Sequence, residues 1–353
     1  MLLKKLKLGV VGAGNIFKYA HLPAWNAHPE VEIVAFCDVN ENAAAAMAHE
    51  HGSAGIYTDY REMLADKEID MVDITTPNLF HSEVSVAALH AGKHVYCEKP
   101  DAINPEEAQR MADEAKKSGN ILMVTRNNRF RAESQFLKKY IEKGHMGDIY
   151  TGRCGWQRRW GIPGSGWFTN KALSGGGPLI DLGIHFIDLS VWLMGSPKPV
   201  SVVGAAYSKF GDKHLRLSQS VQSPHTQAAY RNDVEDLASG FIRFDNGATL
   251  QIEFSWASHV EEEMAYLELR GTQAGAKLTD RDCKLFTDIE GIHCDIIPKF
   301  PADIHPHTEN INHFVDCVQR RAEPIILPQF GVDMVKILSA IYKSAETGSE
   351  VKL

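Results

Sequence analysis

No apolar run in this chain approaches the roughly 20 residues that a helix needs to cross a bilayer, so a helical membrane protein is not expected. A long basic run or basic stripe is missing too: 37 Lys and Arg stand against 45 Asp and Glu, a net charge of −8. Nucleic acid and anionic membrane surfaces are therefore not expected as partners. The six cysteines (Cys37, Cys97, Cys154, Cys283, Cys294 and Cys317) are scattered and include no CxxC pair. That argues against a metal knuckle or a disulfide framework and for reduced thiols in a cytoplasmic protein. Residues 1–7 carry three lysines, but the Leu8-Gly9-Val10-Val11-Gly12-Ala13-Gly14 that follows is too short and too glycine-rich for the apolar core of a signal peptide. Internal repeats and flexible linkers are absent as well.

What remains is an ordinary globular composition, 44% hydrophobic and 23% charged, in 353 residues. That length suits two domains. In the first third, short apolar runs at 6–11, 31–37, 71–75, 94–97 and 121–124 alternate with helical patterns at 16–27, 41–51, 60–65, 82–91 and 105–117. Gly52 and Gly92 stand where two of those helices end. This alternation predicts parallel strands covered by helices on both faces, a doubly wound α/β domain over residues 1–125. The character then changes. A helix at 133–143, a strand at 148–157, a Gly- and Trp-rich loop and a helix at 178–193 precede strands at 200–209, 237–244, 248–255 and 264–270. Asp245-Asn246-Gly247 is a tight-hairpin signal. Helices at 308–321 and 332–346 close the chain. Residues 126–353 are expected to form a second α/β domain with an open, mostly antiparallel sheet, its last helix able to pack back toward the first domain, with a cleft between the two. The loops at 152–174 and 207–232 are expected to shape substrate specificity.

Gly12-x-Gly14 follows an apolar strand and opens a helix, the context that a dinucleotide fingerprint requires. Gly12 permits the tight turn, and Gly14 lets the backbone approach a pyrophosphate. The free N–H groups of the helix start, at Asn15 and Ile16, then hold the negative charge. Phe17 stands where a third glycine would serve helix–strand packing. Asp38 ends the second strand, 26 residues after Gly12, where a carboxylate can accept hydrogen bonds from the adenosine ribose. A carboxylate there repels a 2′-phosphate and Val39 supplies no compensating cation, so NAD is expected over NADP.

Three further segments, Thr75-Thr76-Pro77-Asn78 with His81, Glu98-Lys99-Pro100, and Gly175-Gly176-Gly177 with Asp181 and His185, give the chain a family resemblance. It resembles the Gfo/Idh/MocA oxidoreductases, the relatives of glucose–fructose oxidoreductase and inositol dehydrogenase. The resemblance implies an N-terminal Rossmann domain and a C-terminal α/β domain whose open sheet commonly builds homodimers or homotetramers. It also implies a polyhydroxylated small-molecule substrate without naming it. Thr75, Thr76, Pro77, Asn78 and His81 match the family's loop against the nicotinamide ribose and pyrophosphate. The segment 125–130, with Asn127, matches the one leaving the Rossmann domain beside the nicotinamide. The family also suggests a cis bond before Pro100.

The residues support the same chemistry by themselves. Glu98-Lys99-Pro100 follows a buried strand at the carboxyl edge, where open α/β sheets bind ligands. Pro100 disfavours helical geometry at Lys99 and allows a cis bond that aims the lysine into the cleft. A lysine there suits proton exchange with a substrate hydroxyl and stabilises a developing alkoxide. Asp181 and His185 lie four apart on a predicted helix and share a face. His185 is a natural acceptor for a hydroxyl proton, which Asp181 orients unless it binds a neighbouring hydroxyl itself. Which of Lys99 and His185 is the immediate base is left open. Trp167 offers a ring to an apolar sugar face, while Arg158, Arg159 and Lys171 offer charge to hydroxyls or an acidic group. His305-Pro306-His307 lacks carboxylate or cysteine partners at useful spacing; it reads as a loop, and no metal is expected. The chain is thus read as an NAD-dependent dehydrogenase of a sugar or cyclitol hydroxyl. The alternatives are an NAD-dependent glycosidase working by transient oxidation and elimination, and a non-catalytic dinucleotide-binding sensor or regulator.

Overall fold

A computed structural model describes residues 5–52, 54–164, 166–211, 232–280, 282–301 and 304–353. The chain divides into two compact units, one running up to Asn127 and taking in His305–Val335, the other made of Asn128–Ile304 and Lys336–Leu353.

In the first unit, strands β1 (Leu6–Val11), β2 (Val31–Cys37), β3 (Gly55–Tyr57), β4 (Met71–Ile74), β5 (His94–Cys97) and β6 (Leu122–Val124) form one sheet in the order β3-β2-β1-β4-β5-β6. Every pairing in it is parallel. Helices α1 (Leu22–Ala27), α2 (Glu41–His51), α3 (Tyr60–Leu64), α4 (His81–His90) and α5 (Pro105–Ser118) make the connections. The strands are almost continuously apolar because helices cover both faces; Leu8, Val10, Val72, Ile74, Val95 and Cys97 have no solvent exposure. Asn40, Asp59 and Asn104 cap α2, α3 and α5, each accepting an N–H from the helix it precedes. The chain winds outward from β1 to β3, then returns to β4 on the far side of β1. That reversal places a crevice at the carboxyl ends of β1 and β4, where doubly wound sheets bind ligands.

The second unit contains α6 (Ala132–Glu142), β7 (Ile149–Gln157), α7 (Lys171–Ser174) and α8 (Ile184–Leu193). To these it adds β8 (Pro199–Tyr207), β9 (Leu237–Phe244), β10 (Thr249–Ser255), β11 (Met264–Gly271), β12 (Ala274–Thr279), β13 (Cys283–Ile289), β14 (Ile292–Ile296) and β15 (Val351–Lys352). Its nine-stranded sheet runs β14-β13-β12-β11-β7-β10-β9-β8-β15. All pairings are antiparallel except that of β7 with β10. The expected α/β class, a Rossmann sheet plus a mostly antiparallel one, is what the fold shows.

Several stretches differ from the sequence reading, the short edge strands β3 and β15 among them. Strands β12 to β14 carried no expectation; for β13 and β14 the reason is that Glu290 and Gly291 both take positive φ (52° and 78°) in the turn between them. A two-residue hairpin of that shape is normally announced by Asn-Gly or Asp-Gly. His305-Pro306-His307 is not a loop: His305 takes the N-cap position and Pro306 begins helix α9 (Pro306–Val318), where a missing N–H costs nothing. Helix α10 (Pro328–Thr347) likewise opens on proline, earlier than expected. Of the loop expected at 207–232, residues 212–231 lie outside the described residues. Among the described residues, no helix is long and apolar enough to cross a membrane.

In the second unit Arg129 grips Asp188 of α8 with two hydrogen bonds of 2.8 and 2.6 Å, both side chains buried. Removing one partner of such a pair strands the other charge away from water. Asp188→Ala should therefore destabilise this unit by about 3–5 kcal/mol; urea unfolding checks this, and a loss below about 1 kcal/mol would contradict it.

Candidate active site

The glycine turn lies at the carboxyl end of β1. Gly12 has φ +100°, and a Cβ there would sit 2.7 Å from the carbonyl carbon and oxygen of Thr75. Only glycine fits both demands. Thr75 clamps the turn: its Oγ1 donates to the Gly12 carbonyl at 2.6 Å, and its N–H donates to Val11 O at 2.8 Å. A Cβ on Gly14, by contrast, would meet nothing within 4 Å, so open space adjoins the backbone where a diphosphate would lie. Asn15 and Ile16 are exposed at the helix start. Phe17, in place of a third glycine, is fully buried with its ring 5.8 Å from that of Phe36; aromatic packing replaces the close approach that a glycine would give.

Asp38 faces this turn. Its Oδ2 accepts the Ala13 N–H at 2.9 Å, and its Oδ1 accepts the Asn40 N–H at 2.9 Å. Helix α2 is capped by Asn40 instead, so Asp38 is kept for the turn. Val39 beside it is 94% exposed.

The loops after β4 and β5 are tied together. His81 is fully buried, with Nδ1 2.7 Å from Pro100 O and Nε2 2.9 Å from Thr76 O. Burial lowers its pKa, and the two carbonyls oppose that shift. The structure thus sets His81 between the two loops as their tie. Thr76 Oγ1 is buried without a hydrogen-bond partner, and Asn78 is buried where the turn Asn78–Phe80 begins after Pro77. The Lys99–Pro100 bond is cis. Arg126 pairs with Asp101 just beyond it, and its N–H donates to Asn310 Oδ1 of α9 at 2.9 Å.

Beneath these loops lies a charged network that the sequence reading missed. His21 sits on a π-turn (Phe17–His21) that leads into α1, and it has no exposed surface. Its Nδ1 is 2.8 Å from Asp73 of β4, and its Nε2 is 3.1 Å from Glu98 Oε1. Trp25 Nε1 donates to the same Asp73 carboxylate at 2.7 Å. A neutral imidazole has one N–H, so two facing carboxylates call for the protonated ring. Burial opposes that charge, but Asp73 and Glu98 outweigh it and push the His21 pKa up to about 10. Burial pushes the Glu98 carboxyl up, yet His21, with Lys99 and His307, holds it well below the carboxylate range. The other Glu98 oxygen accepts the Lys99 backbone N–H at 3.1 Å, so the network reaches the candidate catalytic lysine through its main chain. Nitrogens of His21 and His307 and an oxygen of Glu98 lie within 4.8 Å of one another. The fold thus supplies the carboxylate that His307 lacked in sequence, and His21 already meets a carboxylate at each nitrogen.

In the second unit the glycine triplet serves close packing. A Cβ on Gly176 would collide with the Tyr342 hydroxyl, and one on Gly177 with the Glu235 carbonyl. Glu235, also missed in sequence, is buried. It accepts the N–H groups of Gly177 (2.9 Å) and Leu179 (3.1 Å) and the Tyr342 hydroxyl (2.8 Å), a carboxylate at a helix start. Burial raises its pKa despite those bonds. From the triplet the chain passes through Pro178 into a π-turn, Leu179–Gly183, and then α8. Asp181 and His185 are half-buried there, while residues 182–184 and 186–189 are buried. Those two positions share the one open face of the helix start, as a spacing of four allows. Trp256 Nε1 donates to Asp181 Oδ2 at 3.0 Å.

Among the softer candidates, Trp167 is stacked on Phe168 with centroids 3.9 Å apart, so one ring face is taken. The Arg158 guanidinium lies over Trp156, the Arg159 N–H donates to Glu263, and Lys171 lies 4.0 Å from Glu346. The sequence reading passed over Trp160, 42% exposed and flanked by the rings of Phe210 and His259.

A strand–glycine turn–helix with an acid at the end of β2 is the frame of a dinucleotide-dependent enzyme. The chain belongs to the Gfo/Idh/MocA oxidoreductase family: residues 6–126 match the family's NAD-binding Rossmann fold and residues 134–277 match its C-terminal domain. It is similar to a D-glucoside 3-dehydrogenase of Escherichia coli, 35% identical over 99% of this chain and 97% of that protein. A levoglucosan dehydrogenase of Pseudarthrobacter phenanthrenivorans is 32% identical over 77% of this chain and 73% of that protein. The solved structure of a levoglucosan dehydrogenase in complex with NADH and levoglucosan superposes with a TM-score of 0.85 at 26% identity, covering 99% of both chains.

The His21 network makes a pH-dependent prediction. Its pKa is about 10 when folded against an ordinary 6.5, so its contribution is complete below about pH 6.5 and is lost as pH rises through about 10. The groups facing it are Asp73, Glu98, Tyr96 and His307. At pH 6, His21→Ala should cost about 3–5 kcal/mol of stability. Urea unfolding across pH should show that gap shrinking toward pH 10; a gap independent of pH would contradict the charged assignment.

Proposed function

We propose that the chain is an NAD-dependent dehydrogenase that oxidises a secondary hydroxyl of a sugar, cyclitol or related polyol. The observation that carries this reading is the carboxyl edge of the parallel sheet, where the Gly12–Gly14 turn, Asp38 and the Glu98-Lys99-Pro100 loop stand together at the ends of β1, β2 and β5. The edge suits a dinucleotide: the space beside Gly14 is open, and Thr76 Oγ1 and Asn127 Oδ1 are buried without partners. Asn15 and Ile16 would hold the diphosphate on backbone N–H groups beside Gly12 and Gly14, and Asp38 would hold the adenosine ribose. Thr75 to Asn78, with His81 behind them, Glu98, Lys99 and Asn127 would hold the second nucleotide. Once bound, that cofactor supplies a hydride acceptor.

The remaining chemistry belongs to side chains. A secondary alcohol gives up its proton poorly near neutral pH, so oxidation needs a base within hydrogen-bond reach of the hydroxyl. Lys99 and His185 are the two candidates. Asp181, fixed by Trp256, orients His185 or takes a neighbouring hydroxyl, and Trp167 offers its free ring face to the sugar. The names of the relatives, a glucoside 3-dehydrogenase and a levoglucosan dehydrogenase, favour glycosides and anhydrosugars as first substrates to test. Asp38 favours NAD over NADP by repelling a 2′-phosphate. Exposed apolar side chains on the second unit's sheet, among them Val203, Phe286, Ile289 and Ile292, support a homodimer or homotetramer.

An absorbance screen of glycosides, monosaccharides and cyclitols with NAD⁺ and NADP⁺ tests this reading directly. NADH should appear with at least one sugar, and silence across the panel would overturn the dehydrogenase assignment. Lys99→Ala and His185→Ala should each cut turnover about 10²–10⁴-fold; normal turnover in both would remove them from the chemistry. Asp38→Asn should narrow the preference for NAD⁺ over NADP⁺ about tenfold, and an unchanged ratio would show that Asp38 does not set it.

A further inference from the structure

Two buried polar atoms at the end of β6 lack hydrogen-bond partners: Asn127 Oδ1 and His307 Nδ1. The remaining atoms of the two groups meet each other, with Asn127 Nδ2 3.2 Å from His307 Nε2. Burial disfavours a charge on His307, and an uncharged ring has one N–H and one lone pair. If the amide N–H donates to Nε2, then Nδ1 carries the hydrogen, leaving a donor on His307 and an acceptor on Asn127. With the amide turned over, Nε2–H donates to the amide oxygen, leaving an acceptor on His307 and a donor on Asn127. Either orientation leaves one donor and one acceptor unmet, and a buried polar group without a partner is costly.

The pair is also held in place. His307 and Asn310 lie three apart on α9 and so share a face. Asn310, fully buried, accepts the N–H of Arg126 immediately before Asn127. Pro306 starts the helix directly before His307. In the sheet order β3-β2-β1-β4-β5-β6, Asp38 ends β2, the glycine turn follows β1, Lys99 follows β5 and Asn127 follows β6. A dinucleotide laid across that edge with its adenosine at β2 brings its second base to β5 and β6.

We propose that Asn127 and His307 form the binding site for the nicotinamide carboxamide. A primary carboxamide carries one carbonyl acceptor and an N–H₂ donor on a single planar group, the complement of what this pair leaves open. The subsite rests on the dinucleotide reading above and adds to it His307, which arrives from a distant helix. Engaging the carboxamide fixes the rotation of the nicotinamide ring and thereby which of its faces is turned to the substrate.

The test compares NADH with ADP-ribose, which keeps the adenosine, diphosphate and second ribose but has no nicotinamide. Binding is measured by calorimetry on the full chain. His307→Ala and Asn127→Ala should each weaken NADH about tenfold and leave ADP-ribose within about twofold, while His307→Gln, which keeps a donor and an acceptor, should recover part of the loss. Wild-type protein should bind the 3-acetylpyridine analogue of NAD⁺, which lacks the N–H₂ group, more weakly than NAD⁺, and His307→Ala should reduce that discrimination. Equal weakening of NADH and ADP-ribose, or no weakening of either, would overturn the subsite. Wild-type protein that binds neither compound would instead overturn the dinucleotide reading on which the subsite stands.

Discussion

A buried imidazolium held between two carboxylates organises the first unit. Asp73 points out of a central strand, Glu98 stands at the end of its neighbour, and His21 comes from the helix that follows the glycine turn. Each group would be ruinous alone in that interior. Joined, they fix the end of β5 to the first helix and leave Glu98 ionised with an oxygen for the Lys99 main chain. Loop geometry at the carboxyl edge thus follows from charges placed below it, and a loss of that proton would loosen the edge from underneath.

Around this centre the residues divide into those that shape the edge and those left open at it. Thr75, His81, Arg126 and Asn310 spend their polar groups on backbone carbonyls, main-chain N–H groups or a buried acid. Gly14, Asn15, Thr76 and Asn127 present open space, exposed backbone or unmet polar atoms. The same division holds in the second unit, where Glu235 and Tyr342 secure the glycine triplet while Asp181 and His185 stay half-exposed. Supporting groups carry the cost of fixing the backbone, so the open ones are free to meet a ligand without rearrangement.

Much of this was legible in the chain because local physics announces it. Parallel strands read as Val- and Ile-rich runs, Gly52 ends a helix, and Gly12 is demanded by a positive φ and a crowding carbonyl. The hidden part is long-range. His21 and Glu98 are 77 residues apart, and Asn127 and His307 are 180 apart; no spacing rule links such pairs. Asp73 was a usable signal, since a carboxylate inside an apolar strand must find a partner. Glu235 gave none, being one acid in a short polar stretch before a strand. Strands β13 and β14 escaped because Glu290 adopts a backbone geometry usually left to Asn or Gly.

The central claim is that the edge formed by β1, β2, β5 and β6 receives a dinucleotide in one fixed direction. A crystal structure of the chain grown with NADH tests it most directly. The account predicts the diphosphate against residues 12–16, the adenosine ribose on Asp38 and the nicotinamide beside Lys99 and Asn127. Density for the cofactor elsewhere, or bound in the reverse direction, would contradict it.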